Sequence, residues 1–275
     1  MNWNKIRLIF GCVILVFFAI CAIMPGIVAP YGLKEMDAPW LSVSSAHLLG
    51  TNDLGYDIFT ELIYASRYTL LVGIAAAFVS LVIGSSFGLA AGFLPMWKGE
   101  IVNGFIQIFL TFPMLPLAIV IAAFCGKTMF SIMMIIAVLG WCGTARVVKA
   151  RTMQLKQSQF VEALSILGIS RSRIIIKHII PNIREVVLSR YLMSVAACMM
   201  MEATLSFLGL GDPTEVTWGR MINLAYKCGG FSRGAYNWLI SPGICIMLIV
   251  IAFYCISSYI ESKSDQVSDA ASFMD

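Results

Sequence analysis

Long apolar runs separated by short polar stretches dominate this chain. Six of them read as membrane spans: residues 8–28, 69–95, 103–125, 129–146, about 186–208 and 238–260. A spanning helix needs about 20 predominantly apolar residues, so the pattern predicts an all-α integral membrane protein of about six transmembrane helices. The first run follows Lys5 and Arg7. It is too long for a signal-peptide core and is followed by no convincing small-residue cleavage site, so it is expected to be a retained anchor. Only Gly126, Lys127 and Thr128 separate the third and fourth runs, which predicts a helical hairpin. Pro113 and Pro116 remove backbone donors from the third span and predict a kink there. Gly84, Gly88 and Gly92 recur every four residues on one face of the second span. Such a stripe admits close approach of another helix, either within this chain or from another subunit.

The polar segment 147–183 breaks the pattern. Gln159 to Leu167 suits a helix, with Phe160, Ala163, Leu164 and Leu167 on one stripe. Gly168 then turns the chain, Ser170 is placed to cap a second helix over Arg171–Ile180, and Pro181 is expected to end it. The predicted unit is a compact helix–turn–helix knob between two spans, presenting Glu162 and apolar side chains. A basic segment of this kind suits either docking on a protein partner or lying on anionic lipid. The layout divides into 1–68 (stub, first span, outer loop), a core over 69–260 and a tail over 261–275.

Composition agrees with the pattern. The chain is 59% hydrophobic and 12% charged, with mean hydropathy +0.86, whereas soluble domains carry about 25% charged residues. The net charge of +4 matters less than its distribution. With the N-terminus inside, Lys5, Arg7, Lys98, Arg146, Lys149, Arg151, Lys156, Arg171, Arg173, Lys177, Arg184 and Lys263 are cytoplasmic. Only Lys34, Arg67, Lys127, Arg220, Lys227 and Arg233 lie outside. This bias predicts a multi-pass cell-membrane protein with both termini cytoplasmic.

The eight cysteines fall mostly within apolar runs and lack C-x-x-C spacing, and His47 and His178 lie far apart, so no metal site is expected. Gly126-Lys127-Thr128 is not the end of a phosphate-binding loop, because Ile121 occupies the position that would need glycine. H-E-x-x-H is absent and the serines are scattered without a partnered base, which leaves a membrane enzyme without machinery. Glu202 is the one acidic residue deep in a span. It is a candidate for the pathway or for structural pairing.

Three blocks carry a resemblance. Glu162-Ala163, Gly168 and Lys177-His178-Ile179-Ile180-Pro181-Asn182 resemble the coupling-loop motif of the peptide and nickel branch of ABC importer permeases. His47 to Asp57 resembles the block these permeases carry between their first two spans. Glu202 to Gly211, followed by Trp218-Gly219, resembles the block ending their fifth span, and Trp141 and Arg146 fit as well. The resemblance is closest to the second permease subunit of dipeptide, oligopeptide, glutathione or nickel importers. It implies a type I ABC importer permease fold and no catalysis in this chain. It also implies a second permease subunit, two ATPase subunits holding ATP and Mg, and a substrate-binding protein as partners within membrane lipid, without nucleic acid. Phe160, Glu162, Ala163, Leu164, Leu167 and Gly168 would then form the ATPase-coupling surface. Peptide is the expected cargo, with nickel or a metal chelate as the alternative, and a channel or carrier not driven by ATP behind both. The sequence departs from the family at Asn52, where Asp is usual, and at Tyr56, where Arg is usual. It also lacks the usual Gly-Asp-x-Leu-Arg stretch near the last span.

Overall fold

A computed structural model describes residues 3–272, with the side chains of all but Asn4, Met96 and 264–272. The elements are helical: α1 (Trp3–Ile23), α2 (Pro25–Val28), α3 (Ile58–Phe93), α4 (Met96–Thr111), α5 (Met114–Cys125), α6 (Met129–Lys156), α7 (Gln159–Ile166), α8 (Arg171–Ile174), a π-turn over Ile175–Ile179, α9 (Ile180–Phe207), α10 (Trp218–Lys227) and α11 (Tyr236–Ser272). Five helices are long and apolar enough to cross a membrane, or six if α4 and α5, bent against each other, count as one span. The chain is thus an all-α multi-pass membrane protein.

The third span is the first correction. Pro113 has no N–H to donate and forces Phe112 into extended backbone (φ −71°, ψ 133°), so α4 ends at Thr111. The result is a break of 82° rather than a kink. With 16 and 12 residues, the two halves are about 24 and 18 Å long, each shorter than a ~30 Å hydrocarbon core. The hairpin between α5 and α6 forms as expected. Thr128 caps α6 by accepting from Ser131 N at 3.2 Å.

The second span begins earlier than its apolar run. The Asp57 carboxylate accepts from Thr60 N at 2.7 Å and starts α3 eleven residues before the expected boundary, so the division at 68/69 falls inside a helix. At 36 residues, α3 is about 54 Å long and must project beyond the hydrocarbon. Its glycine stripe faces α6. A Cβ on Gly84 would meet Trp141 O at 2.5 Å, one on Gly88 Ala145 O at 2.6 Å, and one on Gly92 the Thr152 side chain at 2.7 Å. The stripe therefore packs within this chain and does not meet another subunit. Residues 1–2 and 273–275, the extremities of the expected stub and tail, lie outside the described residues. From 261 to 272 the expected tail simply continues α11.

At the end of the bundle away from residues 159–169, α10 packs as a plug. Trp218 is fully buried, donates from Nε1 to Leu62 O at 3.0 Å and stacks edge-on against Phe18. Lys127 Nζ donates to Gly209 O at 2.8 Å and Met129 N to the Asp212 carboxylate at 2.9 Å, which stitches the α5–α6 turn to the loop after α9.

Candidate coupling segment and outer block

The polar segment folds as two short helices set against the inner ends of three spans. At the close of α6, Lys156 Nζ donates to Phe93 O at 3.1 Å and Leu94 O at 3.3 Å, locking α6 to the end of α3. α7 follows from Ser158, whose hydroxyl turns back to Leu155 O at 2.6 Å instead of capping. Glu162 lies in the first turn of α7, where its charge complements the helix dipole.

The turn after α7 has a double closure. Gly168 N donates to Ser165 O at 3.1 Å and Ile169 N to Leu164 O at 3.2 Å. This is the pairing of a Schellman motif, with Leu164 and Ile169 meeting below it. Gly168 takes φ +75°, and a Cβ there would meet nothing within 4 Å. The backbone conformation, not a lack of room, therefore requires glycine.

Pro181 does not end the second helix, contrary to expectation. α8 passes through the π-turn at Ile175–Ile179 into α9, giving one helical path over Arg171–Phe207. The proline stands in the first turn of α9, where its missing N–H is tolerated. The Ser170 side chain makes no capping hydrogen bond.

Packing divides the apolar residues into two sets. Val161, Ile174, Ile179 and Ile183 are buried with Phe93 and Val148, and Leu164 rests on that cluster. The opposite side is open: Phe160 is 49% exposed, Ile166 81% and Leu167 76%, with Glu162 and Ala163 exposed between them. The Phe160 ring stands edge-on to His178 at 5.3 Å. Of the six expected coupling residues, Phe160, Glu162, Ala163 and Leu167 share the free ridge. Leu164 instead faces the chain's own core, and Gly168 forms the turn. Ile166 belongs to the ridge and was missed, although its four-residue spacing from Glu162 was visible.

Glu202 is far from this segment and is not placed on an open pathway. It is 2% exposed, accepts from Ser206 Oγ at 2.7 Å and sits where α9 receives α10. There a Cβ on Gly219 would strike Ala203 O at 2.4 Å. One carboxylate oxygen is thus held by Ser206, and the other, Oε2, is buried without a hydrogen-bond partner among the described residues.

The block from His47 to Asp57, ahead of α3, is tightly built. His47 Nδ1 lies 2.9 Å from Asp57 Oδ1 and Nε2 3.4 Å from Asp37 Oδ2, with Tyr31 stacked on the ring. The hydrogen bond to Asp57 is the main cause that raises the imidazole above its ordinary 6.5. Asn52 accepts at Oδ1 from Leu54 N and Tyr56 N, both 2.9 Å, and donates from Nδ2 to Glu61 at 3.0 Å. A cleft of about 280 Å³ opens between this block and α10, lined by Glu61, Asp53, Lys34 and Arg220 among others.

Residues 81–266, well over half of the chain, match the family described as binding-protein-dependent transport system inner membrane component. The chain belongs to this family. It is the membrane permease subunit of an ABC importer. The oligopeptide transport system permease protein OppC of Haemophilus influenzae is 33% identical over 225 residues, covering 79% of this chain and 68% of that protein. The dipeptide transport system permease protein DppC of Alkalihalophilus pseudofirmus is 29% identical over 265 residues, covering 95% and 86%. The glutathione transport system permease protein GsiD of Pectobacterium atrosepticum is 33% identical over 211 residues, covering 76% and 69%. Among solved structures, a chain of the MetNI methionine ABC transporter superposes with TM-score 0.58 at 16% identity, covering 76% of this permease and 95% of that chain. At that identity the likeness concerns the fold.

Proposed function

We propose that this permease imports peptides, driven by two ATPase subunits that dock on residues 159–169 from the cytoplasm. The observation that carries the reading is the free ridge of Phe160, Ala163, Ile166 and Leu167 with Glu162 at its side. It is an apolar helix face set on three spans yet covered by none of the described residues. Such a face suits insertion into a groove of a partner. ATP and Mg then belong to the ATPase subunits. The second permease subunit completes the pathway, and a substrate-binding protein delivers cargo to the outer block and the α10 region. Peptide as cargo is supported by the relatives named for oligopeptide, dipeptide and glutathione transport.

Ala163 provides the test. Its exposure means that a charge there leaves this chain's own packing intact, while in a docked groove the same charge is stranded without a partner. Ala163→Asp is expected to abolish co-purification of the ATPase subunits while the second permease subunit stays bound. Glu162→Ala is expected to weaken docking less, because a charge at the rim of a contact adds little affinity. If Ala163→Asp keeps stoichiometric ATPase and full peptide uptake, the ridge is a lipid-surface element.

A further inference from the structure

The elbow between α4 and α5 identifies what covers this side of the molecule. Thr111, Phe112 and Pro113 are exposed, and Met114 approaches Gly140. Gly140 is eleven residues into α6, so the elbow lies about 16 Å from the outer end of that helix, within membrane depth. Among the described residues, no backbone N–H caps the last turn of α4. Irregular backbone at that depth is not tolerated against lipid tails, only against protein or a water-filled cavity. In the assembled importer this face therefore borders water or the second permease subunit.

Cytoplasmic to the elbow, α4 and α6 enclose a recess of about 270 Å³. Its polar walls are Asn103 and Gln107, one turn apart on α4, and Arg146 and Lys149, one turn apart on α6, with Ile106 and Met153 as apolar lining. Glu100 lies 3.5 Å from the Asn103 amide nitrogen. Neither Arg146 nor Lys149 has an acidic or hydrogen-bonding partner among the described residues. A third cation stands nearby. The Arg190 guanidinium lies over Gly143, where a Cβ would meet Nη2 at 2.5 Å, and its buried Nε has no partner. Gly143 is one turn from Arg146 along α6.

We propose that this recess is an anion site on the permeation route, where Arg146 and Lys149, aided by the amides of Asn103 and Gln107, bind a carboxylate of the departing cargo. Arg190 supports it from the neighbouring turn. A guanidinium offers a planar fork that matches a carboxylate, and a lysine adds a point charge. The volume suits one terminus or one acidic side chain, not a whole peptide. A lipid phosphate shares this chemistry, and at 17 and 20 residues into α6 the two cations stand near headgroup depth, so the experiment carries an arm for each source. The proposal rests on reading the chain as a cargo-carrying permease, and it adds where and by which group cargo is held.

The experiment uses the assembled importer in inside-out vesicles, with Cys12, Cys125, Cys228 and Cys255 changed to Ser and Ala150→Cys as reporter. Labelling is compared between anionic sulfonatoethyl and cationic trimethylammonioethyl methanethiosulfonates, each normalised to its rate with a small free thiol. The anionic reagent is expected to be favoured by about tenfold, the scale of electrostatic focusing in a charged cleft. Adding Arg146→Gln and Lys149→Gln should erase the preference. Millimolar N-acetylalanine should slow labelling at least twofold, N-acetylalaninamide should not, and the double Gln variant should show neither effect. An absent charge preference, or no protection by N-acetylalanine, overturns the site. Labelling that is slow with both reagents and speeds up when anionic lipid is withdrawn assigns the recess to lipid phosphate and overturns the cargo role. None of these readouts depends on which cargo the importer carries. Peptide uptake by the unmodified complex, measured separately, decides that broader reading.

Discussion

At the scale of single residues, Asn52 ties the block from His47 to Asp57 onto α3. Asn52 accepts two backbone N–H groups and donates to the buried Glu61 carboxylate, with Tyr56 lining the same cleft. An Asp at 52 would face Glu61 with like charge and would lose the amide that donates to it. The sequence shows Asn52 but not its Glu61 partner, because that contact depends on α3 starting at residue 58. His47 gives a pH prediction at the same scale. Asp57 and Asp37 face its two ring nitrogens and raise its value above 6.5. A raised folded value means that protonation stabilises the block. The stabilisation is complete below the unfolded value near 6.5 and is lost as pH climbs through the higher folded value. Hydrogen-exchange protection of residues 44–58 is expected to fall across that rise. His47→Gln should remove the pH dependence. Protection that rises with pH contradicts the assignment.

At the scale of elements, periodicity located every span but not every boundary or bend. The polar residues Glu61 and Arg67 disguised the first three turns of α3, which lie outside the hydrocarbon and are stabilised by contact with α10. Pro113 announced an interruption, but whether a proline bends a helix or breaks it depends on neighbours such as Gly140. In α7, Leu164 and Ile166 are equally apolar. Only docking against Phe93 and Val148 decides which of them turns inward. The glycine stripe is the sharpest local case, because either of two partners was open and α6 proves to be the one. Gly88→Val should force its side chain against Ala145 O and Val148, an overpacking cost of about 1–3 kcal/mol. It should lower the unfolding midpoint of the purified complex in detergent by several degrees. Gly104→Val, where a Cβ meets nothing within 4 Å, should not. Equal midpoints would mean that α3 and α6 are less tightly joined than the structure has them.

At the scale of the whole molecule, charge asymmetry along the sequence carries the orientation, and the fold gives it a test. Single cysteines at exposed positions Ser45 and Arg233 should label with an impermeant reagent in intact cells, and one at Ser165 only after the membrane is opened. Outside labelling at Ser165 would invert the protein and remove the coupling role with it. The stitch of Lys127 and Asp212 has a mechanical consequence. It joins the start of α6 to the loop that follows α9, and the knob joins their other ends through α7, the Gly168 turn and the helical path that runs from Arg171 into α9. Two struts closed at top and bottom form a frame that passes torque from one end to the other but resists shear. A tilt imposed at the knob would therefore be carried to the Asp212 loop by both struts together, while the elbow of α4 and α5 stands outside the frame.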